Sequence, residues 1–137
     1  VLCKGRIDRL CQLNGWPFVV DVKTSYDPAT FDNWQKAIVR YALHQQAAHY
    51  LRGLTVLRPL ADGYQRKFAW IVCETQAPYL VRVFEADEEA LSIGNDEAVK
   101  HLRMYKECQQ TGVWPAWEQG MSLAGLPAWA SKRFYAD

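Results

Sequence analysis

Asn14-Gly15 lies between two runs rich in strand-forming residues, Leu2 to Gln12 and Trp16 to Ser25. That dipeptide accepts the positive φ angles of a two-residue type I′ turn, so it ties the runs into an antiparallel hairpin and sets their register. With Asn14 and Gly15 as the turn residues, Leu13 faces Trp16, and counting outward sets Asp8 opposite Asp21. Side chains alternate along a strand. Asp21 and Lys23 therefore share a face, as do Asp8 and Arg6, while Val20 and Val22 point the other way, toward a core. Pro17 is the position at which a bulge or a longer loop would shift this register, because it cannot donate to a ladder.

Two carboxylates directly opposed on a sheet repel by roughly 3 kcal/mol at ~5 Å and an effective dielectric of about 20. A hard divalent cation, Mg²⁺ or Mn²⁺, prefers carboxylate and water oxygens and would offset that repulsion. The same residues also permit a plainer arrangement, in which Asp8 with Arg6 and Asp21 with Lys23 form surface ion pairs. Geometry alone leaves both open.

Beyond the hairpin, Tyr26-Asp27-Pro28 forms a turn, and Phe31 to Leu54 is free of Pro, with Asp32 as its N-cap and Gly53 as its stop. Trp34, Ile38, Tyr41, Ala42 and Ala48 recur on it at helical spacing. Arg58 to Arg66, with Pro59 and Asp62-Gly63, reads as loop; Lys67 to Thr75 and Tyr79 to Glu85 then form a second hairpin around Pro78. Asp87 to Gln110 is helical, with acids in its first turn and Leu91, Ala98, Leu102 and Tyr105 on one face. The stretch from Gly112 to Asp137, carrying Trp114, Trp117 and Trp129, should wrap irregularly over the domain. This order of elements predicts an α/β fold, a mixed central sheet flanked by helices in three layers.

With 137 residues, half of them hydrophobic, the chain suits a single domain with its own core. A net charge of +1 carries no global signature, so a nucleic-acid partner would need a local basic patch. Arg40, Arg52, Arg58, Arg66 and Lys67 are too scattered to name as DNA contacts, and Trp16, Trp34, Tyr41 and Trp70 read as core rather than as base-stacking platforms. No long apolar run or signal peptide is present, which makes a cytoplasmic protein the default. Cys3, Cys11, Cys73 and Cys108 lack zinc or cluster spacing and are expected to be reduced and mostly buried.

Gly5-Arg6-Ile7-Asp8 followed by Val19-Val20-Asp21-Val22-Lys23-Thr24 resembles the D…(D/E)-x-K core of the PD-(D/E)xK nuclease superfamily. Gln46-Ala47-Ala48-His49-Tyr50 is similar to the QxxxY motif of its RecB-like and lambda-exonuclease-like branch. Tyr41 with His44, Pro78, Trp114-Pro115 and Leu126-Pro127-Ala128-Trp129-Ala130 extend the likeness, over nearly the whole chain, to RecE-like exonucleases of the exodeoxyribonuclease VIII type. That resemblance implies a restriction-endonuclease-like core and a Mg²⁺-dependent exonuclease. Such an enzyme degrades one strand of double-stranded DNA from its 5′ end, works as a ring-shaped homo-oligomer and feeds a single-strand annealing protein. It also implies roles: Asp8, Asp21 and the Val22 carbonyl as metal ligands, and Lys23 to orient or help deprotonate the attacking water.

Gln46 and Tyr50, four apart on a helix, share a face and can both reach the site, although a buried Tyr beside a capped Gln would look the same in sequence. His49 falls within the motif's variable positions and is assigned no metal. The family places a further His or acidic ligand on an upstream segment, so the chain is expected to be a nuclease domain lacking its N-terminal part. Two other functions fit the same residues, a non-catalytic DNA-binding or oligomerisation module of this fold and an endonuclease.

Overall fold

The computed structural model describes residues 1–61, 64–116 and 120–134. The first hairpin pairs β1 (Arg9–Leu13) with β2 (Trp16–Ser25) in the register set by Asn14-Gly15, from Leu13 opposite Trp16 to Arg9 opposite Val20. Asn14 at φ 51° and Gly15 at φ 81° supply the two positive angles that a type I′ turn needs. Pro17 does not disturb the ladder. A two-residue turn is flanked by a hydrogen-bonded pair, so residues 16, 18 and 20 turn their backbone groups toward β1 while Pro17 turns away from it. β1 is shorter than the Leu2–Gln12 run suggested, because residues 1–7 leave the sheet.

The sheet has the order β1-β2-β3-β4, with β3 at Lys67–Glu74 and β4 at Val81–Glu85. β2 and β3 run parallel while both outer pairs are antiparallel, so the fold is α/β around a mixed sheet. A parallel pair needs a long crossover. Here that crossover is not one helix but two, α1 (Phe31–Arg40) and α2 (Leu43–Leu57). Ala42 sits between them in the left-handed region at φ 51°. The break lets Trp34 of α1 and Leu43, Ala47 and Leu54 of α2 reach one core with Phe68, Trp70 and Val72 of β3. A straight helix from 31 to 54 could not present all of them to the same surface. The cap is Thr30, whose hydroxyl accepts the Asn33 N–H at 3.3 Å, and not Asp32. α2 runs past Gly53 because Leu54 is buried in the core.

α3 (Glu88–Thr111) is capped by the Asp87 carboxylate on the Ala90 N–H at 2.7 Å and ends at Gly112, φ 71°. It lies so close to α2 that a Cβ on Gly94 would sit 2.3 Å from the His44 carbonyl oxygen. The C-terminal stretch is less irregular than its composition suggested, since Ala128–Phe134 forms a short helix, α4. Trp114 packs edge-on against Tyr105, with ring centroids 5.6 Å apart. Asp62-Gly63 and Trp117 lie outside the described residues.

The two faces of the sheet differ. Val19, Phe68, Trp70, Val72 and Phe84 join the main core under α1 and α2, with Leu91 of α3 packed against it; Phe18, Val20 and Ala69 form a smaller cluster on the opposite face. Among the cysteines, all free, only Cys108 is buried and Cys3 and Cys11 are exposed, contrary to the expectation that most would be core residues. Trp16 and Tyr41 are also exposed where core was expected. No described helix is long and apolar enough to cross a membrane.

Candidate active site

Asp21 sits at the centre of β2, paired with Trp70 across the parallel ladder, and its side chain points to the helix-covered face. Only 3% of it is exposed. A buried carboxylate is tolerated when it is paired and hydrogen-bonded. Both partners come from predicted positions. Lys23, two residues along the same strand and so on the same face, forms an ion pair with Oδ2. Gln46 on α2 directs Nε2 at Oδ1, at 3.4 Å. The same amide donates to the Tyr50 hydroxyl at 3.2 Å, one helical turn on. Asp21, Lys23, Gln46 and Tyr50 thus form one connected group, and the alternative of a surface Asp21–Lys23 pair fails because this carboxylate is buried.

Asp8 reaches the group differently. The ladder ends at Arg9 opposite Val20, so the expected opposed pair of Asp8 and Asp21 is not a rung of the sheet. Instead Asp8 Oδ2 accepts the Val22 N–H at 2.9 Å. By the alternation that directs residues 16, 18 and 20 toward β1, Val22 turns its N–H and carbonyl to the same edge, one step past the last rung. The Asp8 carboxylate therefore takes the place of the missing strand. Asp8 is exposed and, among the described residues, in no ion pair, so the Asp8–Arg6 alternative fails as well.

The donor set suits a hard cation. Asp21 Oδ2 is buried and faces the Lys23 ammonium. Asp8 and the Val22 backbone stand at the adjacent edge of the same strand. No group of three His, Cys, Asp or Glu side chains gathers anywhere among the described residues. Two carboxylates and a carbonyl match Mg²⁺, which keeps several waters, better than Zn²⁺, which wants three or four nitrogen or sulfur ligands.

Two contacts were not foreseen. The Tyr50 ring lies against Gly5, where a Cβ would be 2.8 Å from Cε1, so the residue before Arg6-Ile7-Asp8 must be small for the N-terminal segment to cross α2. Its place inside Gly-Arg-Ile-Asp was the available signal. His44, just before Gln46, is 9% exposed and places Nε2 2.8 Å from the Glu97 carboxylate of α3, to which Gln45 also donates at 2.7 Å. These hydrogen bonds, His44 first, hold the Glu97 carboxyl below its ordinary value of 4.5. His49 packs beside Tyr50, ring centroids 6.5 Å apart. Of the basic residues, Lys67 pairs with Glu85 and Arg66 bonds the Arg58 carbonyl.

A family model described as a PDDEXK-like domain of unknown function (DUF3799) matches residues 1–120. No curated protein matches the chain.

Proposed function

The chain belongs to the PDDEXK-like DUF3799 family, and from that membership and its site we propose a Mg²⁺-dependent deoxyribonuclease that hydrolyses phosphodiester bonds from the ends of linear double-stranded DNA. One observation carries the reading: Asp21 and Lys23 of the D-x-K motif and Gln46 and Tyr50 of the Q-x-x-x-Y motif, on different elements, are in contact. Nucleases of the PD-(D/E)xK type typically use divalent metals. The exonuclease activity, its 5′ to 3′ direction, a homo-oligomer and a single-strand annealing partner enter the proposal through the RecE-like resemblance alone.

Asp8, Asp21 and the Val22 carbonyl are the groups that would hold the cation. When bound, it supplies Lewis-acid stabilisation of phosphate charge and activation of water. The chain's own residues do the rest. Lys23, with a quarter of its side chain exposed, 26%, places an ammonium where it can donate to an attacking water or a phosphate oxygen and neutralise charge developing there. Gln46 fixes the Asp21 carboxylate from the helix side, and Tyr50, accepting from Gln46, keeps its own hydroxyl proton to donate. Burial under α1 and α2 limits water at Asp21 and strengthens each of these interactions.

Digestion of end-labelled linear duplex and of the same duplex as a covalently closed circle tests the reading. With Mg²⁺ or Mn²⁺ the linear form should be degraded and the circle left intact, and chelator should stop the reaction. Cleavage of the circle would assign an endonuclease. Binding of duplex without digestion of either form would assign the non-catalytic module.

A further inference from the structure

A closed circuit of contacts runs through the site. It passes from Asp21 to the Gln46 amide at 3.4 Å, from that amide to the Tyr50 hydroxyl at 3.2 Å, and from the Tyr50 ring to Gly5. Three residues along the chain Asp8 accepts the Val22 N–H at 2.9 Å, and Val22 follows Asp21 in β2. Gly5 and Tyr50 close the circuit by shape alone. A Cβ on Gly5 would lie 2.8 Å from Cε1 of the ring, 3.1 Å from Cδ1 and 3.8 Å from Cζ. Three adjacent ring atoms thus define where the Gly5 backbone lies.

The fit bears on Asp8 because the sheet does not place it. The ladder ends at Arg9 opposite Val20, one residue short of Asp8. A segment beyond a ladder is directed by the points at which it is anchored, and Ile7 against the main core is one of them. Gly5 on Tyr50, two residues earlier, is the other. Around them the segment bridges a groove of about 590 Å³ between residues 1–7, the second half of α2 and Leu102 of α3, so without the ring below Gly5 it has room to sag. The ring itself is tethered. It packs partly buried against the core, and its hydroxyl is bound to the Gln46 amide that reaches Asp21. A larger residue at position 5 must either push the chain that carries Asp8 or swing the ring and draw its hydroxyl away from Gln46. Displacement at this seat therefore reaches one carboxylate of the site or the other.

We propose that Tyr50 is a positioning residue for Asp8, its ring seating Gly5 so that the Asp8 carboxylate stands at the Val22 edge of β2, where a cation would bridge it to Asp21. The cation rests on the nuclease reading, but the placement of Asp8 does not. The two ends of the side chain then have separate uses: the hydroxyl meets Gln46, and the ring meets the chain before β1. One turn of α2 addresses both carboxylates, Asp21 through Gln46 and Asp8 through Tyr50, because residues four apart share a helix face. An aromatic ring suits this use, being a flat, rigid surface with only two side-chain torsions to order. Glycine suits the other partner, since a residue without Cβ lets its backbone approach the ring closely.

The first readout needs neither metal nor DNA. In chelator, hydrogen exchange of the Val22 amide in the full chain reports its bond to Asp8, and Asp8→Ala sets the rate for loss of that bond. Tyr50→Phe keeps the ring and should leave the Val22 rate within about twofold of the parent. Tyr50→Leu and Gly5→Ala should raise it about tenfold, as for loss of one hydrogen bond. Exchange at Phe68 and Trp70 of β3 should stay at the parent's rate in every variant, which shows the sheet intact. Gly5 is exposed, so Gly5→Ala opens no cavity and keeps the test available if Tyr50→Leu folds poorly. In a Mg²⁺ titration Tyr50→Phe should keep the parent's dissociation constant while Tyr50→Leu and Gly5→Ala weaken it, again by about tenfold for one misplaced ligand. Val22 exchange unchanged in Tyr50→Leu and Gly5→Ala, or raised equally by Tyr50→Phe, overturns the positioning role even if the protein binds Mg²⁺ and digests DNA. Raised exchange in a protein that binds no Mg²⁺ keeps the role of Tyr50 and removes the cation.

Discussion

The two carboxylates of the site are held by different kinds of structure. Asp21 is fixed from three directions: by its place in a central parallel strand, by Lys23 on that strand and by Gln46 from α2. Asp8 stands outside the sheet with its side chain exposed, held by one hydrogen bond to the Val22 N–H and by the packing of Gly5 on Tyr50 and of Ile7 on the main core. The first is part of the folded core and exacts a desolvation cost that its partners must offset. The second, being exposed, costs little to desolvate. A cation bridging both would couple a buried ligand on the sheet to an exposed one held at its edge.

The largest effect that would break this contrast is on turnover. Asp21→Ala removes a metal ligand and the anchor of Lys23 and Gln46 together, and should lower digestion of linear duplex by about 10³-fold or more, beyond the roughly 10²–10³ of a single electrostatic contact. Retained digestion by Asp21→Ala in steady-state assays with excess Mg²⁺ would place the chemistry elsewhere. Lys23→Met should reduce kcat by about 10²–10³-fold with metal binding kept, because an ammonium donates and does not ligate. It also leaves the buried Asp21 carboxylate without its cation, at a cost of about 3 kcal/mol. Mg²⁺ should therefore raise the melting temperature of Lys23→Met more than that of the parent, a readout that loss of packing alone would not give.

How much of this was readable beforehand follows the range of the interactions. The Asn14-Gly15 turn is local chemistry, and it carried the register correctly through Pro17 as far as Arg9 opposite Val20. One pair further, the ladder ends, and Asp8 binds backbone instead of facing Asp21. What stops it is the path of residues 1–7 across α2, with Gly5 against Tyr50 and Ile7 against the main core, a non-local preference that no pattern within the hairpin encodes. The same holds at Ala42. Neither Gly nor Pro marks the break between α1 and α2; the demands of a core shared by Trp34, Leu43 and Ala47 impose it. Gln46 and Tyr50 were recoverable because spacing by four residues on a helix survives any placement of that helix.

Metal linkage sharpens the contrast by a smaller amount. With ~10 mM Mg²⁺ and a dissociation constant on the order of 1 mM, binding to the folded state alone gives roughly 1.4 kcal/mol, or about 3–6 °C in Tm for a domain of this size. Asp8→Asn keeps an oxygen to accept the Val22 N–H while removing the charge. Its Tm in chelator should match the parent and most of the Mg²⁺ response should vanish. A parent whose Tm is unmoved by Mg²⁺ at matched ionic strength would remove the cation from the site, and a response unchanged in Asp8→Asn would show that Asp21 binds it without help from the exposed carboxylate.

The smallest effect concerns what holds the buried half in place. α2 carries Gln46 and Tyr50, and its first turn is tied to α3 through Glu97, which accepts from Gln45 at 2.7 Å and faces His44 Nε2 at 2.8 Å. His44 Nδ1 lies 3.3 Å from the Ile38 carbonyl, so the ring also links α2 to α1. Gln45 Oε1 in turn meets His101 Nδ1 at 3.1 Å, which closes a chain of polar groups between the helices. These contacts lower the carboxyl pKa of Glu97 from 4.5, the His44 hydrogen bond most. A depressed folded-state pKa means that the stabilising contribution is complete above the unfolded value and is lost as pH falls through the folded one. The loss therefore lies below about pH 4.5, and neutral pH should show none of it. Glu97 is well exposed, so solvent screens the pairing and the slope should be shallow. Glu97→Gln preserves an acceptor for Gln45 and cannot titrate, and its Tm should fall less steeply than the parent's between pH 5 and pH 3. Parallel curves for the two proteins over that range would mean that the acid sensitivity arises at other carboxylates and that the α2–α3 tie holds Gln46 by packing at Gly94 rather than by charge.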